Sequence, residues 1–394
     1  MTALDTAVGR PGWYSVEDCR LEDFRALVEQ PTDLADFPSA DEVRDGVLVY
    51  GPGLAARVAD RVGRRAVQAE LVRALTSGPG LVVFAGAFAD PTVVDRATAL
   101  FESLIAEQKA RGVVGGDHFA RPGANDRVWR ALDKFALRDP GLFADYYGND
   151  VLALVSEAWL GPGYQVTSQV NVVNPGGQAQ VAHRDYHLGF MSEEQSRAFP
   201  AHVHRLSPTL TLQGAVAHCD MPVLTGPTMY LPRSQQYAPG YLAFHLPAFT
   251  EYFDAHFVQL PLEQGDAVFF NPALVHGAGA NRSTDVRRMA NLLQVSSAFG
   301  RAMETVDRTA MCRALYPALL ARQGAGVAER TLRNVVAASA EGYAFPTDLD
   351  RDQPISGLAP ETQAELVRRA LREEWPADTL ADELTAQAVR HGAT

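Results

Sequence analysis

Between residues 163 and 298 the chain passes through five apolar or β-branched runs: "YQVTSQVNVV", "TLTLQGAVAHC", "HFVQLPL", "DAVFFNPALVHG" and "MANLLQVSSAF". Turn signals such as "NPGG", "LTGPT" and "EQGD" separate them. Short runs of this composition, punctuated by Gly, Pro and Asp, read as strands. Several in succession predict an all-β barrel or jelly-roll core.

Both flanks of this region carry helical patterns. "GLAARVADRVGRRAVQAELVRALTSG" spaces its apolar residues by three and four and stops at "SGPG". "GLVVFAGAF" then reads as a buried strand, and "DPTVVDRATALFESLIAEQKARG" as a helix with Asp90 at the N-cap and Pro91 at the first helical position. The "GPGLAARVA" turn lacks the Walker lysine and the G-x-G-x-x-G spacing, so it reads as a helix start rather than a nucleotide loop. After residue 300, "AMCRALYPALLARQG", "GVAERTLRNVVAASAEG" and "PETQAELVRRALREEW" return to helix. The expectation is one catalytic domain over 1–394: a mostly helical part with barrel-supporting elements over 1–160, a β core over 161–300, and a helical extension over 301–394. That extension packs against the core, caps the mouth of a site or forms a homodimer surface, and its sequence does not decide among these.

Composition narrows the function class. Hydrophobic residues make up 47% and charged residues 21%, as in a globular protein. No run of 18 apolar residues predicts a membrane span, and the N-terminal "MTALDTAVGRPGWYSVEDCRLEDF" lacks the basic and apolar regions of a signal peptide. A net charge of −12, with Lys/Arg only in short pairs, argues against a nucleic-acid surface. Three distant cysteines, Cys19, Cys219 and Cys312, suit a reducing compartment better than a disulfide framework. A cytoplasmic enzyme acting on a small molecule is the expectation.

The chemistry concentrates in "QVAHRDYHLGF". On a strand, positions i and i+2 share a face, so His183 and Asp185 can reach one ion, with His187 in phase further on. Imidazole and carboxylate without cysteine form a nitrogen/oxygen site suited to iron, manganese or zinc. Among the ten histidines, His276 follows an apolar strand into a Gly-rich turn and is the favoured third ligand. Two histidines and a carboxylate leave metal positions open for a co-substrate and oxygen. The pair in "AHVHR", His202 and His204, also lies in β-rich sequence but lacks a comparable third ligand. Arg287, eleven residues past His276, could clamp a carboxylate through two parallel hydrogen bonds, with Arg282 and Arg288 as rivals. Competing readings are a zinc hydrolase using His183, Asp185 and His187 or His276, and a β-barrel that binds a metal or small molecule without turnover.

Four ordered motifs, "QVNVVNPGGQAQVAHRDYH", "GPTMYLPRSQQ", "GDAVFFNPALVHGAG" and "NRSTDVRRMANLL", resemble the phytanoyl-CoA dioxygenase family of iron(II)/2-oxoglutarate oxygenases over roughly residues 120 to 298. The resemblance implies a double-stranded β-helix core flanked by helices. It implies that His183, Asp185 and His276 bind iron(II), and that Arg287 pairs with the distal carboxylate of 2-oxoglutarate. Gln169 and Asn171 match positions of polar co-substrate contacts, and Lys134 a cationic one. Some members carry a serine two residues after the distal histidine; Ala278 stands there, so that contact is missing or replaced. The implied reaction consumes O2, yields succinate and CO2, and hydroxylates a C–H bond; with Asp185 in place, hydroxylation is favoured over halogenation. Tyr186, His187, Phe190 and Gln213, with the aromatics of "YYGND", are candidate substrate-lining residues. No basic pocket for the phosphates of a CoA thioester is evident.

Overall fold

The computed structural model describes residues 12–112, 124–354 and 357–392. The first eleven residues of the N-terminal stretch considered above lie outside that set. Eleven strands are described: β1 (Glu42–Arg44), β2 (Val47–Tyr50), β3 (Leu81–Phe84), β4 (Asn125–Val128), β5 (Gln165–Val173), β6 (Thr211–Ala217), β7 (Met229–Tyr230), β8 (Val258–Gln259), β9 (Ala267–Phe270), β10 (His276–Gly277) and β11 (Arg288–Ser296). Eight of them form one sheet in the order β1-β2-β3-β9-β6-β11-β5-β4, and β10-β7-β8 form a second. All pairings are antiparallel except β2 with β3.

Alternation along the large sheet explains its two faces. Val166, Val170 and Val172 of β5, Leu212 and Val216 of β6, Phe269 of β9, and Met289, Leu293 and Val295 of β11 join the main hydrophobic core. The intervening positions, among them Gln169, Asn171, Gln213, Ala215, Val268, Phe270, Arg288, Ala290, Leu292 and Gln294, line a cavity on the opposite face. The small sheet contributes Tyr230 and His276 to the same cavity, which therefore lies between the sheets.

Helices back the apolar face. The expected first helix divides into Leu54–Arg57 and Arg61–Thr76, because Asp60 turns extended and its side chain accepts from Gly63 N. Asp90 caps the helix Pro91–Ala110 as expected. The extension after residue 300 folds as helices Arg308–Gly324, Glu329–Ser339, Gln363–Arg372 and Ala377–Arg390. Met311, Leu315, Tyr316 and Leu319 enter the same core as the sheet and the N-terminal helices. Among described residues Met303, near the start of this extension, lines the cavity, and none of its helices does. No described helix is long and apolar enough to cross a membrane. Cys19, Cys219 and Cys312 are free.

Candidate active site

His183 and His276 are bridge partners on adjacent antiparallel segments, joined by His183 N to His276 O at 2.8 Å and His276 N to His183 O at 3.0 Å. Asp185 N reaches Pro272 O at 3.0 Å, which carries the pairing two residues further. A backbone ladder thus brings together residues about ninety positions apart in sequence. Their ligand atoms all lie within 4.8 Å of one another. His183 Nε2 is 3.7 Å from Asp185 Oδ1, and His276 Nε2 is 3.6 Å from Asp185 Oδ2.

Each imidazole is oriented by its other nitrogen. Nδ1 of His183 lies 2.8 Å from Val181 O, and Nδ1 of His276 lies 2.9 Å from Leu274 O. A carbonyl only accepts, so both Nδ1 atoms carry a proton and both Nε2 atoms turn toward Asp185, where a metal ion would meet them. Burial alone would raise the Asp185 carboxyl. The His276 hydrogen bond, the two imidazoles and the Gln213 amide outweigh burial and bring it down to about 2. Two nitrogens and an ionised carboxylate, converging without a cysteine, fit a divalent iron, manganese or zinc ion.

The loop between the ligands is held from behind. The Arg184 side chain, only 2% exposed, points away from the cavity, donates to Ser234 O and Tyr237 O, and lies over the Tyr241 ring at 5.3 Å. A Cβ at Gly240 would sit 2.0 Å from its guanidinium, so this arginine fits only against a glycine. Directly after Asp185 the chain turns through two left-handed residues, Tyr186 at φ 63° and His187 at φ 45°. That turn carries His187 out of the cavity, where Nδ1 meets Ser207 Oγ at 3.1 Å.

The structure does not bring Arg287 to the cavity. Arg287 has the parity of Met289 and Leu293, so it lies on the helix-covered face and bonds Glu102 at 2.6 Å, Asp126 at 3.2 Å and Asn174 at 3.3 Å. Arg288 has the parity of Ala290 and Gln294 and lines the cavity. It is 6% exposed, and among described residues its side chain has no hydrogen bond or ion pair; Nη1 is a buried donor without an acceptor. Burial lowers its pKa to about 10, against the opposing influence of Cys219 and Tyr230. A buried cation without an anion is costly, and the site asks for one.

Other expected residues divide similarly. Gln169 and Asn171 line the cavity, as do Phe190 and Gln213. Ala278 also lines it and offers no hydroxyl. Lys134 does not: on the helix Ala131–Arg138 its Nζ donates to Trp129 O at 2.8 Å, because that segment's carbonyl needs a donor. Tyr186 is buried, and its hydroxyl donates to Gln294 rather than opening to the cavity. Tyr146 and Tyr147 of "YYGND" belong to the core behind the sheet, not to the cavity. His202 and His204 stand on a helix, Ala201–Leu206, not a strand. Sequence reasoning missed Arg127, Trp129, Gln294 and Met303 at the cavity wall. Only Gln294 left a usable signal, its shared parity with Arg288.

Residues 61–289 match the phytanoyl-CoA dioxygenase (PhyH) family, more than half of the chain. The chain belongs to the phytanoyl-CoA dioxygenase family. As a dioxygenase-family member it falls among the iron(II)/2-oxoglutarate-dependent oxygenases, which use O2. Among solved structures it is similar to the non-heme alpha-ketoglutarate-dependent epimerase SnoN from nogalamycin biosynthesis, at 20% identity over 61% of this chain and 82% of that one, with a TM-score of 0.40. It is also similar to AviO1 from Streptomyces viridochromogenes Tue57, at 19% identity over 62% and 98%, TM-score 0.42. HygX from Streptomyces hygroscopicus, solved with nickel, 2-oxoglutarate and hygromycin B, is 14% identical over 58% and 87%, TM-score 0.42. Membership rests on the family match, since structural likeness at this level carries no argument. No curated protein matches the chain.

Proposed function

We propose that this chain is an iron(II)/2-oxoglutarate-dependent hydroxylase of a small-molecule metabolite, built on a double-stranded β-helix. One observation carries the reading: a two-histidine, one-carboxylate cluster and an orphaned buried guanidinium line the same cavity, about 210 Å3 in volume.

His183, Asp185 and His276 hold the metal through Nε2, a carboxylate oxygen and Nε2. Gln213 donates from Nε2 to Asp185 Oδ2 and fixes the plane of that carboxylate. Arg288 pairs with the distal carboxylate of 2-oxoglutarate, taking the place expected of Arg287. Leu260, Leu262 and Val268 add apolar surface to the cavity wall, and excluding water there strengthens the ion pair. Bound iron with 2-oxoglutarate and O2 supplies the oxidising chemistry, releasing succinate and CO2. The protein binds, orients and shields, and substrate enters past Trp129, Phe190 and Met303 at the wall.

The test is an anaerobic titration of metal-free protein with iron(II) and then 2-oxoglutarate, following the visible charge-transfer band. Arg288→Ala is expected to raise the 2-oxoglutarate needed by roughly 100-fold or more, the worth of a lost buried ion pair, while Arg287→Ala leaves it unchanged. The reverse order would return the clamp to Arg287. No band in the wild type, with zinc bound instead, would end the oxygenase reading.

A further inference from the structure

Gln213 and Gln294 are direct register partners on β6 and β11. Both line the cavity, and they are 4% and 7% exposed. Each has one end of its amide committed. Gln213 donates from Nε2 to Asp185 Oδ2, and its carbonyl oxygen is left buried with no partner. The Tyr186 hydroxyl donates to Gln294 Oε1, its other neighbour being only the weakly accepting Met303 sulfur at 3.7 Å. The Gln294 NH2 is then the end left over, with no hydrogen bond to a described residue.

The two strands therefore present a carbonyl oxygen and an NH2 side by side, next to the carboxylate proposed to hold the metal. We propose that this amide pair selects substrates by a neutral group that both donates and accepts, an amide or a hydroxyl, held beside the carbon to be oxidised. The inference rests on the site reading above. A carboxylate there would face the Gln213 carbonyl, and an ammonium would face the Gln294 NH2; each leaves one buried group unpaired, and such mismatches discriminate strongly. Arg127 does not alter this. It aligns with Asn171 and Ala290, two strands across from β11 and four positions along from Gln294, and donates to Gln169 Oε1 at 2.8 Å.

Four matched probes test the pair: cyclohexanecarboxamide, cyclohexylmethanol, cyclohexanecarboxylate and cyclohexylmethylammonium. Each is titrated into full-length, zinc-loaded protein with 2-oxoglutarate, and binding is read by ligand-observed NMR. The carboxamide and the alcohol are expected to bind at least about fivefold more tightly than either ion, the worth of one net hydrogen bond; the tighter of the two tells amide from hydroxyl. In Gln294→Glu, where two acceptors face the cavity, the ammonium becomes the tightest. In Gln294→Met, confirmed folded by its thermal melt, the neutral preference collapses. A charged probe binding tightest to wild type, equal or absent binding of all four, or an order unchanged in Gln294→Glu overturns the proposal. The 2-oxoglutarate signal separates the two readings. If it appears and the probes fail, only the amide pair falls; if it is absent from wild type, the site reading itself falls.

Discussion

Asp185 is held by Gln213 through Oδ2, the same oxygen that faces His276. Gln213 Nε2 takes one carboxylate oxygen, and Gln213→Leu removes that donor while keeping similar bulk. Outer-shell partners of this kind are worth roughly 10- to 100-fold in metal affinity. A competition titration against a chromophoric chelator under nitrogen should show a loss in that range, and unchanged affinity would mean that the backbone ladder alone holds Asp185. Arg287 sits at the other extreme. Its ion pairs with Glu102 and Asp126 are 42% exposed on the arginine side, so Arg287→Ala should cost no more than about 1 kcal/mol in a urea melt. The metal cluster was legible in sequence because spacing and punctuation survive in a linear string. Spacing alone pointed to Arg287, whereas parity places it away from the cavity: apolar Met289, Leu293 and Val295 mark the core face of β11, and Arg287 falls on it.

Among the elements, the strand-rich middle was readable from alternation, and the helical flanks from three-and-four spacing. What alternation could not supply was the context of short segments. "AHVHR" forms one turn of helix after Pro200, where His204 Nε2 meets Ser196 O at 3.1 Å. The wall residues Arg127 and Trp129 come from β4 and its edge, placed by pairing with β5 rather than by any local pattern. The loop His183–Asp185 and the segment carrying Gly240 act as one unit through Arg184. Gly240→Ala puts a methyl into a guanidinium that is fully enclosed. The cost should be about 1–3 kcal/mol, as in overpacked cores. Denaturant melts would register it, and weaker metal binding should accompany it because the displaced loop carries two ligands. A stable variant with unchanged metal affinity would show that Arg184 is spectator packing.

At the scale of the whole molecule, the sheet's back face holds a buried polar chain. His218 Nδ1 meets Thr98 Oγ1 at 2.8 Å, its Nε2 meets the Tyr146 hydroxyl at 2.9 Å, and Asn291 Nδ2 reaches both Tyr146 and Tyr147 at 3.2 Å. Burial lowers the His218 pKa from 6.5 to about 3. Its contribution to stability is complete above about pH 6.5. It falls as the pH drops toward 3, because the unfolded chain takes a proton that the native state refuses, by at most about 1.4 kcal/mol per pH unit. Urea melts between pH 7.5 and 5 should show this slope, and His218→Asn should flatten it; an equal slope in both would assign the effect to other groups. The same back face joins distant parts of the chain, since one hydrophobic cluster runs from Phe37 to Leu384. The strands that line the cavity are complete at Ser296, and helices from residues 61–160 already lie against their apolar side, yet the rest of that cover comes from residues 308–390. During synthesis the cavity walls emerge before the last of their backing does, leaving part of the sheet's apolar face exposed while those residues are still being made. Yield of folded protein should therefore depend on the speed of translation through this last stretch more than on any residue of the active site.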